Sequence, residues 1–348
     1  MSRRSRDEAA AALVVAALDR IDAPERALVL EDPTREVADA LAAAGCAVTS
    51  WSRRDPGADG APPWVEADRS RAADCQLVAL RLPRAKQELE MLLHLAAGAL
   101  APEGVLWIYG ANDEGAKSVA GKLSPLFGNA FTLATGGHAR LVAAALAADG
   151  PAPRIALDSW LEHFDLDLPA GSEAGARRVR WASLPGAFAH GRLDEGTALL
   201  LRHLPPLGPG ARVLDYGAGT GPLAAGVLAA EPSARVTALE PDALAAAALR
   251  LNVPKAEVVT GAGWAPLAGR RWEAVVANPP YHRGKEETTA LIAEFLGGLG
   301  SALERGGAMR CVVQRRLPFA DLAAAAGLER VEVVADEGPY RVWQTGGR

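Results

Sequence analysis

Cysteine is scarce in this chain and odd in number: Cys46, Cys75 and Cys311 are far apart, each set in apolar surroundings. A disulfide framework is thereby excluded, and buried reduced thiols are expected. The six histidines form no H-E-x-x-H pattern and pair with no cysteine, so no metal site is expected. No apolar stretch reaches bilayer length without a charge, Gly or Pro, so no membrane association is expected. The opening residues Met1-Ser2-Arg3-Arg4-Ser5-Arg6-Asp7-Glu8 run into acidic residues rather than the apolar core of a secretory leader. A cytoplasmic protein is expected. Positive charge is also in deficit, with a net −5 at pH 7, which argues against a surface that attracts polyanions everywhere.

What is present is a soluble balance, 49% apolar and 23% charged, over 348 residues, more than one ordinary core and hence two domains. Apolar strands at Arg26–Glu31, Cys46–Thr49, Gln76–Leu80 and Val105–Tyr109 alternate with Ala/Leu-rich helical stretches. Breaker-rich segments at Ala148–Pro153 and Leu168–Gly175 mark a connection. The second half repeats the rhythm, with strands through Val213, Val236, Val258, Val275, Cys311 and Val333 and a last one at Arg341–Gln344. We expect residues 1–150 to form an N-terminal domain, 151–183 a linker and 184–348 a second domain. Each is α/β, a doubly wound, mostly parallel Rossmann-like sheet covered by helices. Leu77–Arg84 occupies the place of Val275–Tyr281, and Pro102–Trp107 that of Arg305–Cys311, as in an internal duplication.

Chemistry concentrates in the second half. Ala211 to Leu223 reads as strand, glycine-rich turn and helix, with Asp215, Gly217, Ala218, Gly219 and Gly221 in a G-x-G-x-G spacing. Such a turn lets a cofactor lie against main chain at a helix start. The spacing is not the dinucleotide G-x-G-x-x-G, and an acid precedes the first glycine; both details favour S-adenosylmethionine over NAD. The next strand ends in Glu240-Pro241-Asp242, placing a carboxylate where ribose hydroxyls can donate to it. After the strand Trp272–Ala277 comes Asn278-Pro279-Pro280-Tyr281. The plain reading is an Asn-Pro turn ending a strand. The chemical reading is an amine clamp, because the lone pair of a planar NH2 is delocalised and two acceptors, the Asn278 carboxamide oxygen and the Pro279 carbonyl held by Pro280, can localise it. Tyr281 adds a face on which a flat base or amide stacks.

These residues, with Leu184 to Leu201, His282-Arg283-Gly284 and Leu317-Pro318-Phe319, resemble the ribosomal RNA guanine-N2 methyltransferase family, in particular its 16S small-subunit branch, over nearly the whole chain. The resemblance implies two tandem class I methyltransferase domains, the first degenerate, and S-adenosylmethionine as cofactor. It implies 16S ribosomal RNA or the small subunit as partner, and a monomer. It places Phe188, Arg192, Asp194 and Thr197 around the cofactor, with Asp194 and Asn278 among its binding residues. Tyr281, His282, Arg283 and Phe319 are expected to meet the base, Phe319 having an equally good core reading, and Arg177, Arg178, Arg180, Arg192, Arg202, Arg283, Lys285, Arg310, Arg315 and Arg316 to form a local positive face. Two departures stand out: Ala262 replaces the polar residue that often meets adenine, and Gln314-Arg315-Arg316 replaces the stretch that relatives carry before Leu-Pro. Adenine-N6 and protein-glutamine methylation use the same tetrapeptide and stay open, as does a non-catalytic RNA-binding or ribosome-assembly factor.

Overall fold

The computed structural model describes residues 3–54, 74–123, 125–170, 174–279 and 285–346. The chain divides into two compact units, Met1–Leu161 and Glu162–Arg348.

In the first unit, α1 (Arg3–Leu18), α2 (Glu36–Ala43) and α3 (Lys86–Ala99) accompany six strands: β1 (Arg26–Leu30), β2 (Ala47–Trp51), β3 (Cys75–Arg81), β4 (Leu100–Ala111), β5 (Phe127–Gly136) and β6 (Ala139–Leu146). Their order is β2-β1-β3-β4-β6-β5; the first four are parallel and β6 and β5 close the edge antiparallel. The central strands are apolar along their whole length, as in Leu77 to Leu80, because helices cover both faces of a parallel sheet. The sequence reading missed β5 and β6: the Ala-rich run Ala139–Leu146 carries no period-two signal, since nearly all of it is buried.

The second unit opens with a hairpin, β7 (Glu162–Ala170) and β8 (Ala174–Ser183), followed by α4 (Glu195–Arg202), β9 (Arg212–Tyr216), α5 (Pro222–Ala230), β10 (Arg235–Glu240), α6 (Ala243–Asn252), β11 (Glu257–Thr260) and β12 (Trp272–Ala277). Then come α7 (Lys285–Ala302), β13 (Leu303–Gln314), α8 (Phe319–Ala325), β14 (Glu332–Glu337) and β15 (Tyr340–Gly346). The sheet order is β11-β10-β9-β12-β13-β15-β14, with β15 antiparallel to both neighbours. This is the first unit's order with one more parallel strand at the edge, and residues 55–73, at the matching place in the first unit, lie outside the described residues.

The segment 151–183, expected as a linker, is thus not all connection. Phe164, Leu166 and Leu168 on β7 and Val179 and Trp181 on β8 alternate at period two and pack on the core under α4 and α5. The hairpin therefore belongs to the second compact unit, and the division falls after Leu161 rather than at 150 or 183. Pro169 and Gly175, read as breakers, sit at its far end, and Gly171 lies outside the described residues.

Candidate active site

Parallel strands deliver their carboxyl ends to one edge, and the chemistry-bearing residues of the second unit gather there. β9 ends at Tyr216 beside Leu239 of β10 and Ala277 of β12, so the glycine turn, Glu240 and Asn278 emerge next to one another.

The glycine turn is held from below. Gly217 and Ala218 both donate backbone N–H bonds to the Leu239 carbonyl, each at 2.9 Å. Gly217 and Gly219 have φ of +76° and +57°, and a Cβ on either would stand in open space, so the turn presents bare main chain that a cofactor can approach closely. Gly221 is different: its Cβ would lie 2.9 Å from Val253 and 3.1 Å from Leu249, so this glycine lets α5 pack against α6. The Ala218 side chain likewise turns inward, packing with Ala238 and Leu249. Of the five residues expected at the cofactor in this turn, the geometry offers the main chain around Gly217 and Gly219.

Asp215 lies beneath the turn, fully buried. Its Oδ2 accepts the Ala224 N–H at 2.9 Å in the first turn of α5, while Oδ1 has no partner among the described residues. Burial pushes its carboxyl up to about 8; the Ala224 N–H opposes this and the nearby Glu240 charge adds to it. Asp215 is placed as the support of the turn rather than as a surface of the pocket. Glu240 reaches the turn itself: Oε2 accepts the Gly219 N–H at 2.6 Å and Oε1 the Asp242 N–H at 2.8 Å. Pro241 follows at the strand end, and Asp242 caps α6 by accepting from Leu244 and Ala245.

Asn278 is half-buried at the end of β12. Its Nδ2 donates to Asp194 Oδ2 and to Thr197 Oγ1, each at 2.8 Å. A carboxylate can only accept, so the amide must turn its NH2 toward Asp194. The carboxamide oxygen is left facing the other way, buried and without a partner among the described residues. Asp194 is the N-cap of α4, its Oδ2 also accepting the Thr197 N–H at 2.9 Å. One acid therefore starts the helix and fixes the orientation of Asn278, a task distinct from the cofactor contact expected of it. Pro279 is buried behind Asn278. Pro280, Tyr281, His282 and Arg283 lie outside the described residues.

Phe319 corrects the sequence reading. It opens α8 and is fully buried, stacked on Trp343 with ring centroids 5.3 Å apart, in the core it shares with the apolar face of α7. Both faces are in use, so it has none to offer a base. The expected positive face also thins. Arg310 spends its guanidinium on the carbonyls of His203 and Leu204 and on Gln344; Arg202 pairs with Glu337 and Arg315 with Asp336. Phe188, by contrast, is 45% exposed.

Sequence reasoning passed over a brace behind the glycine turn. Trp181 Nε1 donates to Thr220 Oγ1 at 2.9 Å. Asn252, at the end of α6, donates to the carbonyls of Ala182 and Thr220 and accepts the Ala182 N–H. These bonds join the hairpin root to the turn, across separations no local motif displays. The loop after β11, where Ala262 stands, is held by Trp264, which donates to the carbonyls of Glu294 and Phe295 and packs 4.8 Å from Tyr216. Among the described residues no group of three or more His, Cys, Asp or Glu is placed to hold a metal, and no helix is long and apolar enough to cross a membrane.

Residues 178–344 match the Methyltransferase small domain family and residues 27–164 the Methyltransferase small domain N-terminal family. The ribosomal RNA small subunit methyltransferase C of Shewanella baltica is 34% identical over 270 residues, 76% of this chain and 74% of that protein. Its counterpart from Shewanella pealeana is 33% identical, over 76% of each chain. Among solved structures, the T. thermophilus 16S rRNA N2 G1207 methyltransferase (RsmC) in complex with AdoMet and guanosine is similar with a TM-score of 0.81 at 22% identity, covering 97% of this chain and 92% of that one. At that identity the likeness speaks to the fold, two methyltransferase domains in tandem.

Proposed function

The chain belongs to the ribosomal RNA small subunit methyltransferase C family, and from that premise we propose that it methylates the exocyclic N2 of a guanine in 16S ribosomal RNA. The observation that carries the reading is the Asn278 carboxamide oxygen, buried and without a partner among the described residues, on an amide whose nitrogen is held by Asp194 and Thr197. A buried acceptor left unmade costs about 1–3 kcal/mol, and an N–H from a ligand amine relieves that cost.

The residues fit S-adenosylmethionine: an open main-chain cradle at Gly217 and Gly219, and the Glu240 carboxylate beside it for ribose hydroxyls. When bound, that cofactor supplies a methyl group made electrophilic by its sulfonium. This chain's residues do the rest. Asn278 Oδ1 accepts one amine N–H and the Pro279 carbonyl the other, so the nitrogen lone pair is localised and aimed. Tyr281 stacks on the ring, which must leave its helix or be unpaired already, because N2 at a groove edge cannot otherwise be approached in line. With the cofactor held at Gly217, Gly219 and Glu240, the aimed nitrogen would take its methyl group, the sulfonium leaving as the neutral thioether, and the amine proton would leave to solvent. No metal enters this chemistry, and the substrate points to a cytoplasmic enzyme.

Incubation with tritiated S-adenosylmethionine and, in parallel, undermodified small subunits, free 16S rRNA and a release factor tests the reading. Label in N2-methylguanosine after digestion is expected. Label in N6-methyladenosine or in the release factor would replace the substrate; no label, with no cofactor binding by calorimetry, would make the chain a pseudoenzyme.

A further inference from the structure

At the opposite edge of the second unit's sheet, where the strands begin, lies a depression of about 630 Å³. Arg212 opens β9, Arg235 opens β10 and Trp272 opens β12, so the depression is a strand's length, roughly 17 Å for five residues, from the glycine turn and Asn278. Five cations line it, Arg212, Arg235, Lys255, Arg270 and Arg271, against two carboxylates, Glu257 and Glu304. In a chain of net charge −5 that is a local excess of the opposite sign.

The two carboxylates are already committed. Arg212 pairs with Glu304, and Arg270 pairs with Glu257 while also donating to Thr237 Oγ1 and lying 5.5 Å over the Trp272 ring. These contacts build a fixed floor. Arg235, Lys255 and Arg271 stand exposed around it, and none of them has a carboxylate partner among the described residues. Arg235 and Arg271 each make one long bond, 3.4 Å, to a backbone carbonyl, of Gly210 and of Leu303, which orients a guanidinium and leaves most of its donors unspent. Two oriented guanidiniums and the Lys255 ammonium over that floor suit phosphate oxygens. The depression is far too large for one phosphate, so an extended polyanion is the matching ligand.

We propose that this depression is a second RNA-binding surface, in which Arg235, Lys255 and Arg271 hold backbone phosphates of the ribosomal RNA at a segment distant from the target nucleotide. The inference rests on the rRNA reading above. It explains how a chain with a negative net charge holds a polyanion when Arg202, Arg310 and Arg315 are spent on internal contacts.

The test is equilibrium binding of a 16S rRNA transcript across a salt series, by wild type and by the triple variant Arg235→Gln, Lys255→Gln, Arg271→Gln. The slope of log Kobs against log [salt] should be shallower in the variant by about 2, from roughly 0.7 per lost phosphate contact on single strands. KM for RNA should rise on the order of tenfold, with kcat and S-adenosylmethionine affinity unchanged. Phosphate contacts need charge rather than a particular head group, so Arg235→Lys with Arg271→Lys should keep the wild-type slope. An unchanged slope and KM in a triple variant that melts like wild type would overturn the proposal. So would a variant that keeps its rRNA slope and loses binding only to assembled subunits, which would assign the surface to a ribosomal protein. A wild type that labels no rRNA would instead sink the functional reading, whatever the slopes.

Discussion

The two units place different residues at the same point of the same topology. In the first, Leu30 of β1 lies opposite Leu80 of β3, and Arg81 comes next; in the second, Tyr216 of β9 lies opposite Ala277 of β12, and Asn278 comes next. In both, an acid from the helix preceding the first strand reaches that residue: Asp7 of α1 accepts from Arg81 Nε and Nη2 at 3.1 and 2.6 Å, and Asp194 at the start of α4 accepts from Asn278. The difference lies in what is left over. Arginine has only donors, and Asp7, Glu114 and the Leu82 carbonyl take them. Asparagine gives its donors to Asp194 and Thr197 and keeps an oxygen in hand. The turns diverge in the same way. Asp32 folds its carboxylate onto Thr34 and Val37, filling with side chain the place where Gly217 and Gly219 leave a cradle. The first unit has turned a site into a strut, and the same acid–strand contact serves both ends.

The strut is the place to break first. Arg81→Met would leave Asp7 and Glu114 buried beside an apolar side chain, and the loss of one partner of a buried pair costs about 3–5 kcal/mol. Denaturant unfolding should show that loss in the first unit's transition; a shift below about 1 kcal/mol would mean the guanidinium is not the strut. Removing every charge, with Asp7→Leu and Glu114→Gln added, should recover most of it. The matching change in the second unit, Asn278→Ala, acts on the reaction. Methyl transfer should fall on the order of 10²–10³-fold in kcat, the range for removing one preorganised polar group, while calorimetry finds S-adenosylmethionine affinity within a few-fold. Loss of cofactor binding in that variant would assign Asn278 to the adenosine and not to the amine.

How far this was legible before any coordinates depends on whether the signal is local. Asn278-Pro279 after an apolar strand, the glycine spacing and Glu240 are contiguous patterns, and the parallel-sheet rule carries them to one edge of the fold. The degeneracy of the first unit was legible for the same reason, because Arg81 and Glu31-Asp32 stand where Asn278 and the glycines would. The parts that escaped are pairings across long separations. Asp194 with Asn278 and Trp181 with Thr220 show in no window of sequence, and Phe319 beside Leu-Pro looked like a stacking face until Trp343 was seen against it. The hairpin β7–β8 was hidden by its breakers, although Phe164, Leu166 and Leu168 carried the alternation.

The orienting role of Thr197 gives a smaller effect than loss of Asn278 itself. Thr197→Val keeps the shape and removes the hydroxyl that accepts from Asn278 Nδ2, leaving Asp194 to hold the amide alone. One neutral hydrogen bond is worth about 1 ± 0.5 kcal/mol, so single-turnover transfer should slow on the order of tenfold or less, with the cofactor still bound. A rate equal to wild type would show that Asp194 suffices.

The gentlest contrast is between Asp215 and its counterpart in the first unit. Val213 lies opposite Ala274 as Ala27 lies opposite Leu77, so Asp215 corresponds to Val29, an equally buried apolar residue. Burial first of all raises the Asp215 carboxyl from 3.8 to about 8, so between those values the folded protein holds a proton that the unfolded chain has released. Stability from this group is complete below pH 3.8, declines as pH rises through the interval and has been lost above about 8, where both states are ionised. One proton gives a slope of at most about 1.4 kcal/mol per pH unit. Asp215→Asn keeps an acceptor for Ala224 and cannot ionise, so unfolding of the second unit, followed from pH 5 to 8, should lose this dependence. The first unit, with Val29 at that position, should not change its pH response at all; if its response does change, the assignment of the slope to Asp215 fails.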